Sequence, residues 1–187
     1  MRRFSFRPAL TMRGRKFKGL RGWAGKPLHP PLTDVPVGAY VLAPAFDVVS
    51  ALGQDQEWAR DFYRAGTFVL VGGFVVGVLA ALTGFWDWLK STEKGTQARR
   101  TVNAHAWTMV VVTVLVLAAV ALRLGPYRDD PHTGVVALVL SLLIALFTTI
   151  GGTIGGSLAY DYGFNVETAG DHPVWHKSEQ DVLPGQK

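Results

Sequence analysis

The apolar positions of the chain are gathered into four long blocks separated by short polar links, and within each block they run almost without interruption. The blocks are Pro36 to Leu52, Ala65 to Trp86, Thr101 to Leu122, and His132 or Thr133 to Leu158. A helix rises 1.5 Å per residue, so about 20 apolar residues cover the hydrocarbon of a bilayer, and the last three blocks reach that length. The first is shorter, about 25 Å as a helix, and therefore starts as early as Leu32 or lies bent in the membrane. This pattern predicts an all-α fold, an integral membrane four-helix bundle with spans at about 36–52, 65–86, 101–122 and 133–158. The membrane domain is expected over residues 29–162, between a basic arm at 1–28 and a tail at 163–187.

Polar positions inside the blocks refine this reading. The stretch LHPPLTDVP from Leu28 to Pro36 holds three prolines, which remove backbone donors and fix φ, so it is expected to be a rigid, non-helical lead into the first span. Pro44 and Asp47 place a polar hinge inside that span. An ionised Asp47 would cost several kcal/mol at that depth unless it is paired, so it is expected to be protonated, hydrogen-bonded or functional. Glycines at four-residue spacing lie on the second and fourth spans: Gly73, Gly77 and Gly84, then Gly151, Gly152, Gly155 and Gly156. Such spacing lets helix backbones approach closely, either within the bundle or against a second copy or another membrane subunit. The run GGTIGG is no phosphate loop, because it lacks a lysine and a preceding strand. No convincing tandem repeat shows in the residue identities.

Charge sets the orientation. The net charge is +5, and nine Lys or Arg residues precede the first block with no acidic residue before Asp34. That clustering suits an anionic lipid surface better than a nucleic acid. Counted across the links, Lys and Arg alternate between rich and poor flanks, which predicts both termini on the cytoplasmic side of a bacterial inner membrane. With no cysteine in the chain, thiolate metal sites, thiol nucleophiles and iron–sulfur ligation are excluded.

The predicted topology gathers His29, Asp34, Asp87 and His105 toward the cytoplasmic side, with Asp47 deeper and His132 on the other face beside Asp129 and Asp130. Several readings of this set stand side by side. His29 and His105 are candidate axial ligands of a b-type haem. His29, Asp34, Asp47, Asp87 and His105 together are candidate ligands of a divalent metal, or a proton site. Against both stands the plain reading of each as a helix-end residue bonded to a neighbour. His172 and His176 in the tail form a weaker pair, interrupted by Pro173.

In the segments HPPLTDVPVGAYVLAPAFD, LTGFWDW and NAHAW the chain resembles the DUF2231 family of predicted small bacterial membrane proteins, over roughly residues 27 to 162. The family pattern falls on His29, Pro30, Pro36, Asp47, Gly84, Asp87 and His105, while Asp34 stands where relatives commonly carry a histidine. The resemblance implies about four spans. Relatives are sometimes joined to a Rieske-type domain, which implies a redox membrane and, for this cysteine-free chain, a separate redox partner. The expected function is an accessory or assembly subunit of a larger membrane complex; the alternative is a haem b or metal-binding redox subunit.

Overall fold

The computed structural model describes residue 20 and residues 27–90 and 94–164. The arm before residue 20, the segment 21–26 and the tail after residue 164, with His172 and His176, lie outside the described residues. Four helices make up the fold: α1 (His29–Gly53), α2 (Glu57–Lys90), α3 (Gln97–Leu124) and α4 (Val135–Tyr160). Each is long and apolar enough to cross a membrane.

α1 starts earlier than its prolines suggest. The stretch expected to be non-helical is its first turn and more, with Pro30 and Pro31 at the opening positions, where the backbone N–H has no helical partner to lose. Pro36 and Pro44 sit further in and are buried; Pro44 leaves the Tyr40 carbonyl without its usual donor. The early start gives α1 25 residues, about 37 Å of rise, so the shortest predicted block becomes a full-length helix. α3 is capped by Thr96, whose hydroxyl accepts from the Arg99 N–H at 3.1 Å.

α1 packs on α2 and α4, and α3 packs on the same two helices, so α1 and α3 face each other diagonally across the centre. The links are short, neighbours in sequence run antiparallel, and α1 and α3 therefore run parallel. Two hairpins, α1–α2 and α3–α4, form the bundle, and their burial patterns superpose. A shift of 76 positions carries the buried Pro36, Tyr40, Ala43, Pro44 and Asp47 of α1 onto the buried Val112, Val116, Ala119, Val120 and Arg123 of α3. A shift of 71 carries the buried Gly66, Leu70, Gly73, Ala80 and Asp87 of α2 onto the buried Ala137, Ser141, Ile144, Gly151 and Leu158 of α4. The bundle is thus a parallel repeat of one hairpin about an axis along the helices. Residue identities conceal the repeat because lipid-level packing constrains size and polarity more than side-chain type.

The two hairpins close around Tyr40, Ala43, Leu70, Val112, Val116, Ala119, Val120 and Ile144. Within the first hairpin, Gly73 and Gly77 admit α1: a Cβ on Gly73 would lie 2.5 Å from the Ala39 Cβ, and one on Gly77 would lie 2.5 Å from the Tyr40 hydroxyl. Gly151 similarly receives Met109 from α3, whereas Gly152 faces open space. Most of the glycine spacing therefore serves the chain's own packing. Overpacking of this kind usually costs about 1–3 kcal/mol, and a Gly73→Val variant is expected to unfold at a lower temperature in detergent than a Gly152→Val variant.

Candidate functional site

The polar side chains of the bundle interior lie in two layers. The first is at the end where α1 and α3 begin. His29 stands at the first position of α1 and His105 in the third turn of α3, and their rings meet with centroids 6.3 Å apart and planes inclined by 73°. Each ring is held from behind by its own hairpin. Nδ1 of His29 lies 2.9 Å from the Ala80 carbonyl on α2, and Nδ1 of His105 lies 2.9 Å from the Gly151 carbonyl on α4.

A carbonyl oxygen only accepts, so in both rings Nδ1 carries the proton and donates it. Nε2 is then left with its lone pair. A glycine one turn beyond each carbonyl makes room for the imidazole: a Cβ on Gly84 would lie 2.6 Å from Cε1 of His29, and one on Gly155 would lie 3.0 Å from Cε1 of His105. Ala80 with Gly84 and Gly151 with Gly155 are the same two positions of the repeat, so the two histidine seats are equivalent. Nothing in the residue identities alone advertises those carbonyls. The four-residue step to a glycine does, once the histidine is known to lie beside it.

A Gly84→Ala substitution is expected to push His29 off the Ala80 carbonyl while leaving His105 in place. Nitrogen chemical shifts of the two labelled imidazoles check this, with only the His29 Nδ1 signal moving.

Trp88 and Trp107 pack edge to face at 5.9 Å beside this layer, and the Trp88 indole donates to the Asn103 side chain at 2.7 Å. These contacts tie α2 to α3 within a turn of His105. Asp87 is buried at the same end of α2 and accepts from the Leu20 N–H at 3.1 Å. Asp34 is exposed on α1.

The second layer is five turns away. Asp47 and Arg123 form a buried ion pair, Nη2 to Oδ2 at 2.5 Å, with 0% and 1% of their side chains exposed. Thr133 donates to the other carboxylate oxygen at 3.2 Å, and Arg123 donates from Nη1 to the Thr67 hydroxyl at 3.1 Å. The Tyr63 ring covers the guanidinium at 5.1 Å. Ser50 joins the turns at this end, donating to the Ala59 carbonyl at 2.7 Å and accepting from the Thr133 N–H at 2.9 Å. His132 lines a cleft beside this layer with Gln54, Asp55 and Thr133.

Of the residues expected to form a site, the structure brings His29 and His105 together and does not bring Asp34 or Asp47 to them. Asp47 is 18 residues further along α1, about 27 Å by helix rise. Its pairing answers the demand that a carboxylate at this depth be compensated. Arg123, which directly follows the third apolar block, is in the bundle interior; its signal in the sequence is its distance of 18 residues from His105, the same as from His29 to Asp47. Among the described residues no group of three or more His, Asp or Glu side chains is placed to hold a metal ion.

No curated protein and no solved structure matches the chain. A family model described as a predicted membrane protein, DUF2231, matches residues 25–168. That range takes in both hairpins and the polar residues of both layers, and the chain belongs to the DUF2231 family of predicted membrane proteins.

Proposed function

We propose that the protein binds one haem b between its two hairpins, with His29 and His105 as the axial ligands, and carries electrons as an accessory subunit of a larger membrane assembly. The observation that supports this most is the pair of facing imidazoles, each with Nδ1 committed to a carbonyl. A metal–imidazole bond of about 2 Å puts a ring centroid about 3 Å from the metal, so two rings on opposite sides of one metal centre stand about 6 Å apart. The observed 6.3 Å fits that separation. The backing hydrogen bond is the usual outer partner of a metal-bound histidine, fixing the tautomer and the ring direction.

The donor set favours haem over a bare ion. Two imidazoles alone leave a zinc or manganese site short of ligands, whereas a porphyrin brings four of its own and asks the protein for two. The bound group would supply one-electron chemistry; the chain's part is to hold it, exclude competing ligands and set its depth. His29 and His105 come from parallel helices at one level, so a group between them is held by both hairpins at once. The basic arm and the alternation of Lys and Arg support a cytoplasmic position for this layer, in the inner membrane of a bacterium. Gly152, with open space beside it, leaves a strip of α4 backbone accessible to a neighbouring subunit or a second copy. The electrons would pass to a separate redox partner.

The test is an absorbance spectrum of the gently solubilised protein, produced with haem supply intact, before and after dithionite, with iron analysis of the same sample. Sharp reduced bands and one iron per chain are expected. Colourless, iron-free protein would sink the haem reading and leave an assembly subunit.

A further inference from the structure

We infer that Asp47 and Arg123 are positioning residues for the histidine pair: their ion pair sets the register of α1 against α3 and so brings His29 and His105 to one level. The inference rests on the proposed ligand role of the two histidines. Its basis is a coincidence of spacing. Asp47 lies 18 residues after His29, and Arg123 lies 18 residues after His105. At 3.6 residues per turn that is five whole turns on each helix, so the polar residue and the histidine share one face of α1 and one face of α3. Asp47 and Arg123 are also equivalent positions of the repeat, 76 residues apart, as His29 and His105 are.

α1 and α3 are diagonal and do not interlock by ridges and grooves, so their relative height is not set by direct packing of one on the other. It passes instead through α2 and α4, in the contacts of α4 with α1 and of α2 with α3 that join the two hairpins. A slip of one turn moves one helix by about 5.4 Å along the other, enough to pull the imidazoles out of reach of a common metal. The same slip breaks a buried ion pair. The ion pair, tied to both turns at its end by Ser50 and Thr133, therefore penalises each wrong register heavily. Register selection is the best-attested use of a buried polar pair, whose net contribution to stability is small beside an apolar replacement.

The absence of cysteine allows a direct test on the full chain that does not depend on haem. In a His29→Cys, His105→Cys variant, a short bifunctional thiol reagent is expected to cross-link the two positions within one chain. Adding Asp47→Leu with Arg123→Met removes the ion pair without stranding a charge. The bundle should stay folded while cross-linking falls by about fivefold or more, as the chain divides among registers that the ion pair excludes. Exchanging the pair, Asp47→Arg with Arg123→Asp, should restore most of the yield, because the two positions are equivalent in the repeat. In the histidine-bearing chain, the apolar double variant should show haem shifted from six- to five-coordinate, again reversed by the exchange. Unchanged cross-linking in the folded apolar variant, or a loss that the exchange does not repair, would overturn the inference. A wild-type protein without haem would overturn the ligand reading and leave the cross-linking result standing.

Discussion

On the proposed haem reading, His29→Ala and His105→Ala are each expected to abolish six-coordinate binding, and the double variant to lose haem altogether. The two single variants should behave alike, because the repeat gives the two rings the same seat: a carbonyl behind and a glycine beneath. Each keeps the opposite ligand, so some five-coordinate haem is expected to remain, with added imidazole restoring the original spectrum. Neither substitution opens the apolar core around Tyr40 and Val116, and unfolding temperatures without haem should stay close to that of the wild-type apoprotein. The check is the pairing of a spectrum with a melting curve for each variant. A His29→Ala protein with an unaltered spectrum would remove His29 as a ligand.

The second large effect is on folding. Asp47→Ala leaves Arg123 buried with its carboxylate partner gone, retaining the Thr67 hydroxyl and the Tyr63 ring. Breaking a buried pair from one side usually destabilises by about 3–5 kcal/mol, because the charge left behind keeps its desolvation cost without its compensation. Asp47→Ala is therefore expected to give a poorly folded protein, and the apolar pair Asp47→Leu with Arg123→Met one that accumulates normally. Yield in the membrane fraction and unfolding in denaturing detergent distinguish them. If Asp47→Ala is as stable as the wild type, the guanidinium is not buried as described.

The membrane architecture was legible in the sequence because a bilayer demands long apolar runs and little else. The gathering of His29 and His105 at one end was legible too, from the parity of the spans alone. The seats behind the histidines were less so. A backbone carbonyl carries no residue-type signal, and Gly84 and Gly155 read equally well as generic close-packing positions.

The start of α1 is not legible in the sequence because three prolines from Leu28 to Pro36 suggest a break. Two of them occupy the first turn, where proline is harmless, and a membrane helix tolerates Pro36 and Pro44 when neighbours cover the freed carbonyls. Arg123 was concealed by its place at the end of an apolar block, where an arginine ordinarily marks a water-facing link. The repeat was hidden for a related reason. Positions such as Tyr40 and Val116, or Ala80 and Gly151, share burial and level without sharing chemistry, so only their alignment in space exposes the duplication.

The claim at the centre of this account is that one metal lies between the two imidazoles, and electron paramagnetic resonance of the oxidised protein tests it most directly. Each ring is held by its own carbonyl, so the planes should keep an inclination near 73° when a ferric haem is bound. Strongly inclined axial imidazoles leave the iron d orbitals nearly degenerate, and the predicted result is a highly anisotropic low-spin signal with an unusually large maximal g value, absent from His29→Ala and His105→Ala. A wild-type spectrum showing only high-spin haem, or no haem iron at all, would contradict the account.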